Sequence, residues 1–130
     1  MRLLSLLRSS LATSALFATL ATAHAQASND AGQISFNNAC RTCHSIREGD
    51  HRLGPSLYGI VGKKAGTVSG YDPSPAIRQS GIVWDEKNLD SFIANPEALI
   101  LGNAMKPYGG IASEEERQKI IGYLKSTGGN

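Results

Sequence analysis

The spacing of apolar residues along the chain predicts several short amphipathic helices. The first follows Asp30, whose side chain is suited to cap a helix. Its inner face repeats at the 3.6-residue helical period and consists of Gly32, Phe36, Ala39, Cys40 and Cys43. We therefore expect a helix that begins at Asp30 and carries both cysteines on its buried side.

Further short helices are predicted in the second half of the chain. Ser74 followed by Pro75 is typical of an N-cap and a first helical residue. Asp85 is suited to start the next helix, which Pro96 ends, and a short turn of helix is predicted over 97–100. The apolar face of the longer of these helices consists of Leu89, Phe92 and Ile93.

The last predicted helix begins at Ser113, where Glu116 completes a capping box. Lys125 and Gly128 suit its carboxyl end. Its buried stripe consists of Ile120, Ile121 and Leu124. No segment alternates like a strand, so the sequence predicts an all-α fold with long loops.

The segment 45–70 has no sustained period and is instead interrupted by turn residues. These are Gly49, Gly54, Pro55, Gly59, Gly62, Gly66 and Gly70. A loop of this length is uncommon in a compact domain unless something other than secondary structure organises it. The sequence thus indicates that something besides regular secondary structure holds this segment in place.

Composition limits the classes of protein that remain. The chain has 130 residues, of which 41% are hydrophobic and 18% charged, with a net charge of +2. That length favours one domain, and the charge is too weak to indicate nucleic-acid binding. No apolar run reaches the roughly 20 residues of a membrane-spanning helix, so we expect no stable membrane insertion. Two cysteines are too few for a disulfide scaffold.

The first 25 residues resemble an export leader. Arg2 and Arg8 give a basic start, an apolar stretch covers 11–23, and Ala23 and Ala25 form a small-x-small cleavage site. We predict cleavage after residue 25, a domain over 26–130 and a periplasmic location; the alternative is a retained helix or anchor. The leader holds two of the 13 basic residues and none of the 11 acidic ones, so the remaining chain has no formal net charge.

The candidate chemistry lies in the C-x-x-C-H motif at residues 40–44. On a helix, Cys40 and Cys43 share a face, and His44 follows Cys40 by four residues. This arrangement suits two thioether bonds to haem vinyl groups with an imidazole ligand to the iron, and the motif is the c-type haem attachment signature. We predict one covalently bound haem c.

Other interpretations of the motif are a redox-active cysteine pair, a zinc site and buried structural cysteines. A thioredoxin-like pair lacks the surrounding βαβ pattern, and zinc lacks a fourth ligand. Free thiols in an oxidising compartment are a liability.

Met105 is the candidate for the second axial ligand, because haem iron in electron carriers is often held by His and Met. It is the only methionine after Met1 and lies in a glycine-flanked loop. The alternatives are that Met105 is core filler, or that the iron is open and serves gas or peroxide chemistry. His51 follows His44 too closely to cross the haem easily.

An ordered set of motifs resembles the class I cytochromes c of the mitochondrial and bacterial c2 type. The likeness covers residues 29–127 and consists of Gly32-x-x-x-Phe36, the 40–44 motif, Leu53-Gly54-Pro55-x-Leu57, Trp84, Asn95-Pro96 and Gly102-x-x-Met105. The resemblance implies a cytochrome c fold, with crossed terminal helices and loops wrapped around the haem. It also implies that Gly32 and Phe36 pack against Tyr123 and Leu124.

The resemblance further implies a haem environment. The Pro55 carbonyl would accept a hydrogen bond from His44 and set its tautomer. Trp84 would bind a buried propionate through its N–H. Lys63, Tyr71 and Asn103 are further candidates for the same carboxylates.

Several positions depart from the family pattern. Leu101 replaces the usual Pro before the methionine loop, which removes a restraint on that loop and favours easier opening of the Met105–iron bond. Phe92 and Pro73 stand where mitochondrial members carry Tyr. The mitochondrial lysines around the haem edge are replaced by Glu97, Ala98 and Ala104. A smaller basic rim is expected from Arg41, Arg52 and Lys106.

From these residues we expect a soluble, monomeric, periplasmic electron carrier and not an enzyme, since no catalytic acid, base or nucleophile is identified. Its partners would be redox proteins: a membrane oxidoreductase, an oxidase or a periplasmic dehydrogenase. The alternatives are a haem-based sensor or peroxidase-like enzyme if Met105 does not ligate, or a haem subunit of a larger oxidoreductase complex.

Overall fold

The computed structural model describes residues 15–128, and the side chains of residue 23 and residues 25–128. Five helices occur in this range: α1 (Ala15–Ala39), α2 (Pro75–Gln79), α3 (Glu86–Ala94), α4 (Pro96–Leu99) and α5 (Glu114–Ser126). Within the described part of the chain there is no strand, only an isolated antiparallel bridge between Lys64 and Val83. The all-α fold class is confirmed.

Helix α1 begins earlier than predicted. It starts at Ala15 and continues through the predicted cleavage site, so the expected start at Asp30 was wrong. The segment before Asp30 is rich in alanine, the strongest helix former, and contains no proline or glycine to end the helix. Arg2 and Arg8 of the predicted leader lie outside the described residues. No helix that the structure describes is both long enough and apolar enough to cross a membrane.

The predicted N-caps of the later helices are confirmed, but the Glu116 carboxylate, which was expected to complete a capping box at Ser113, instead accepts from Ser35 and Lys119. Ser74 accepts a hydrogen bond from the Ile77 amide, and Asp85 accepts one from the Asn88 amide at 2.7 Å. Ser113 accepts from the Glu116 amide at 3.3 Å. These caps fix where α2, α3 and α5 begin, since each satisfies an amide that has no partner within its helix.

The terminal helices cross at Gly32. A β-carbon at this residue would lie 2.5 Å from the Lys119 carbonyl oxygen and 2.8 Å from Tyr123 Cβ, so only glycine permits the approach. The rings of Phe36 and Tyr123 are 5.6 Å apart, and Ser35 donates a 2.7 Å hydrogen bond to Glu116. The expected packing of Gly32 and Phe36 against Tyr123 is confirmed, and Leu124 belongs to the same buried cluster as Phe36.

Helix α3 is fixed against α5 by a carboxylate and a guanidinium. Arg117 Nε donates to Asp90 at 2.9 Å, and Gln118 donates to the same carboxylate at 3.0 Å. The hydrogen bond from Arg117 lowers the pKa of the Asp90 carboxyl. Because α5 also crosses α1, the three longer helices form one frame, and the loops between them enclose a cavity.

Gly32→Ala should lower the free energy of unfolding of the holoprotein by about 1–3 kcal/mol, because the Lys119 backbone cannot move aside cheaply. Gly122→Ala is the matched control on α5. A β-carbon there meets nothing within 4 Å, so this variant should be unchanged or more stable by up to about 1 kcal/mol. Denaturant titration measures both, and a Gly32→Ala protein as stable as the wild type would contradict the close crossing.

Candidate functional site

A cavity of about 210 Å³ lies between the helical frame and the loops. Both cysteines, His44 and Met105 line it, together with apolar side chains from α3, α5, the loop 45–70 and the segment just before α3. Those apolar residues include Leu57, Ile60, Val68, Trp84, Leu89, Phe92, Ile93, Ile120 and Leu124. An apolar cavity with two thiols, an imidazole and a thioether on its wall fits a covalently attached haem.

The thiols are held by a helical turn that continues α1. The Cys40 amide donates to the Phe36 carbonyl at 2.8 Å, and the His44 amide donates to the Cys40 carbonyl at 2.9 Å. This turn keeps residues 40, 43 and 44 on the cavity side, as the motif predicts. The local fold therefore presents all three side chains to one ligand.

The thiols do not have the character of a redox pair. Cys40 and Cys43 are both free and half-buried. Burial, reinforced by the neighbouring Cys43, raises the pKa of the Cys40 thiol to about 11. Reactive cysteine pairs need the opposite shift, so the thioredoxin-like interpretation is disfavoured.

The orientation of His44 is set by the loop that follows it. The residue is only 7% exposed, and its Nδ1 donates to the Pro55 carbonyl at 2.8 Å. A proton held on Nδ1 leaves Nε2 without one, which is the state that a metal-binding imidazole requires. Burial lowers the pKa of His44 and so favours the neutral ring.

Gly54 positions His44, whereas the sequence marked it only as a turn residue and as part of the 53–57 motif. A β-carbon at Gly54 would overlap the His44 ring and lie 2.7 Å from Nδ1. Its amide also donates to the Cys43 carbonyl at 2.8 Å. The glycine before Pro55 was a visible signal, but only the fold shows that its missing side chain makes room for the imidazole.

Met105 reaches the cavity from the loop after α4. The side chain is half-buried, and its amide donates to Asn103 Oδ1 at 2.9 Å. Farther along the loop, the Tyr108 hydroxyl donates to the Ile93 carbonyl at 2.7 Å, which joins this segment to α3. His51 is not among the cavity-lining residues; it instead bonds the Ser69 carbonyl at 2.9 Å.

The four propionate candidates divide into two groups. Trp84 and Tyr71 line the cavity, and the Tyr71 hydroxyl donates to the Leu53 carbonyl at 3.1 Å. Lys63 and Asn103 do not line it: Lys63 donates to the Tyr58 carbonyl at 3.1 Å, and Asn103 is engaged within the methionine loop. The structure thus brings two of the four candidates to the cofactor cavity.

Two departures from the family pattern also lie on the cavity wall. Phe92 packs against Trp84 with ring centroids 5.0 Å apart, and Pro73 contributes to the loop side. Neither carries a hydroxyl, so this part of the wall is apolar where tyrosines would make it polar.

Exposed residues of the cavity lining, among them Leu53, Ala104 and Lys106, define the cavity mouth. Two ion pairs lie at this mouth or next to it in the chain. Lys106 lies 3.0 Å from Glu97, and Arg52 lies 3.7 Å from Asp50. Uncharged Leu53 and Ala104 line the cavity beside them. Of the three residues expected to form a basic rim, Arg41, Arg52 and Lys106, the last two therefore have acidic partners.

Comparison with known proteins agrees with this geometry. The family model described as Cytochrome c matches residues 29–128. Cytochrome c2 iso-2 of Magnetospirillum molischianum is 40% identical over 87 residues, which cover 67% of this chain and 89% of the relative. Cytochrome c2 of Rhodoplanes tepidamans is 37% identical over 100 residues, covering 76% and 92%.

The fold has a close counterpart among solved structures. Cytochrome cH from Methylobacterium extorquens superposes with a TM-score of 0.69 at 35% identity, covering 75% of this chain and 97% of the other. Haem c in this family is attached covalently through a cysteine pair, and Cys40 and Cys43 have the required spacing. The motif, the cavity that its side chains line and the matched sequences together assign the chain to the cytochrome c family.

Proposed function

We propose that this protein is a periplasmic carrier of single electrons with one haem c held between His44 and Met105. The observation that carries the proposal is that Cys40, Cys43, His44 and Met105 all line the same apolar cavity. The leader-like residues 1–25 support export, and the cytochromes c2 among the relatives support the same function.

Each residue of the site has a defined part in holding the cofactor. Each thiol of Cys40 and Cys43 would add across a vinyl group, forming an S–C bond while the thiol proton goes to the neighbouring carbon, so no oxidant is needed. His44, oriented by Pro55, would bind the iron through Nε2. The bound haem supplies one-electron Fe(III)/Fe(II) chemistry.

The remaining residues would keep the site suited to electron transfer alone. The apolar wall excludes water, and Met105 would occupy the position that an oxidant or gas needs. Of the propionate candidates, Trp84 and Tyr71 have support from their place on the wall, whereas Lys63 and Asn103 have none. Electrons would pass to and from redox proteins that dock at the cavity mouth.

The intact mass of the exported holoprotein tests leader removal and haem attachment together. We expect a chain of residues 26–130 plus the full mass of one haem, because thioether formation loses no atoms. A double variant, Cys40→Ser with Cys43→Ser, should lose all haem on acid denaturation. A haem-free wild-type mass would contradict attachment, and an exported chain that keeps Met1 would contradict the leader.

Removal of Met105 tests the second axial ligand. Met105→Ala should abolish the methionine–iron charge-transfer absorption of the ferric protein. It should also raise the apparent affinity for added imidazole by at least about tenfold, since no ligand must be displaced. Met105→His is the matched control and should remain low-spin with a filled sixth position. A wild-type protein that is high-spin and binds CO readily at neutral pH would favour the sensor or enzyme interpretation.

The paired charges at the cavity mouth predict weak dependence on ionic strength. Oxidation by ferricyanide, an anion, should change by less than roughly threefold between low and high salt. The control variant Ala98→Lys with Ala104→Lys restores lysines at two family positions and should react faster at low salt and slow steeply as salt rises. A strong salt dependence in the wild type would contradict the neutral mouth.

A further inference from the structure

Glu97 occupies a position where the resemblance leads one to expect a lysine, and both of its carboxylate oxygens are hydrogen-bonded within the methionine loop. Oε1 accepts from the Gly102 amide at 3.0 Å. Oε2 accepts from Asn103 Nδ2 and from Lys106 Nζ, each at 3.0 Å. One side chain on α4 thus binds three residues of the loop that carries Met105.

Asn103 connects this carboxylate to the methionine. It is only 3% exposed, and its Nδ2 divides its two hydrogens between Glu97 and the Ile100 carbonyl. Its Oδ1 accepts from the Met105 amide at 2.9 Å. Since a buried amide is stable only when its polar atoms are bonded, Glu97 and the Met105 amide hold Asn103 in one orientation from opposite ends.

We propose that Glu97 is a positioning residue that holds the 101–106 loop closed and so limits how readily Met105 leaves the iron. This inference rests on the proposed ligation by Met105. Leu101 is 80% exposed and stands where the resemblance leads one to expect a proline, so the backbone of this loop lacks the restraint that a proline ring would give. The hydrogen bonds of Glu97, which lies outside the loop, supply the restraint that the loop backbone lacks.

The ion pair with Lys106 alone does not account for this arrangement. Lys106 and Glu97 are both substantially exposed, and such pairs contribute little because water and salt screen them. The bonds to the Gly102 amide and to the buried Asn103 are the ones that define the loop conformation. Consistent with this, the Gly102 amide is the largest cause of the lowered pKa of Glu97.

Glu97→Gln in the holoprotein is the direct test. Glutamine keeps one oxygen for the Gly102 amide, but its NH₂ group faces the donors of Asn103 and Lys106. The amides of Gly102 and Met105 should exchange hydrogen at least about tenfold faster, while global unfolding changes little. Imidazole should displace the ferric ligand about three- to tenfold faster. Glu97→Asp, whose carboxylate is one methylene shorter, should shift both readouts in the same direction.

Two variants are matched controls. Glu86→Gln removes an exposed carboxylate that is paired with Lys125 at 2.6 Å, at the opposite end of α3 from α4, and it should change neither readout. Lys106→Leu removes the exposed arm of the cluster without adding a group that can bind iron, and it should change each rate by less than about twofold. If Lys106→Leu reproduced Glu97→Gln, the ion pair and not the Asn103 connection would hold the loop, and the inference would be wrong.

The two readouts separate this inference from the function on which it rests. Unchanged exchange and unchanged imidazole binding in Glu97→Gln would overturn the positioning role. Faster exchange without faster imidazole binding would overturn its control over Met105. Failure of the ligation itself is detected independently, because Met105→Ala would then bind imidazole no better than the wild type.

Discussion

The turn that follows α1 constrains this protein more than any other element. It sends two thiols and an imidazole from residues 40–44 into one apolar cavity, and apolar residues of α3, α5 and the loops form the opposite walls. A chain this short with long loops cannot build a large protein core. A covalently held cofactor solves this problem, since it supplies apolar surface for segments that have no regular structure of their own.

The two proposed iron ligands are positioned by different physical means. On the His44 side the restraint is steric and directional: Gly54 leaves room for the ring, and the Pro55 carbonyl accepts a hydrogen bond from its Nδ1–H. On the Met105 side the restraint is polar, through Asn103 and Glu97. A thioether has no proton to donate, so its position must be set through the backbone of its loop. The restraints on His44 and on Met105 can therefore be altered independently of each other.

The surface around the cavity mouth differs from what a lysine-rich carrier would present. Where positive charges occur there, acidic side chains accompany two of them, and one of these acids, Glu97, also serves the loop inside. A charge used for internal positioning contributes less to long-range attraction of a partner. Recognition of a redox partner would then depend more on the apolar residues at the cavity mouth, which include Leu53 and Ala104.

The sequence alone determined the chemistry and most of the helical frame. The 40–44 motif identified the cofactor, the caps at Ser74, Asp85 and Ser113 located three helices, and the resemblance anticipated the Gly32 crossing. These features depend on local spacing, which a sequence displays directly. The leader cleavage and the axial role of Met105 stay predictions.

The tertiary structure decided which residues reach the cavity and how they are held there. Trp84 and Tyr71 lie on the cavity wall, whereas Lys63 and Asn103 do not. Helix α1 begins at Ala15 and not at Asp30, where the sequence predicted its start. The roles of Gly54 and Glu97 depend on contacts with other parts of the chain. Gly54 lies against the side chain of His44, ten residues earlier, and Glu97 on α4 binds the 101–106 loop that folds back toward it. Such contacts arise only when the whole chain has closed around the site, so spacing along the sequence could not reveal them.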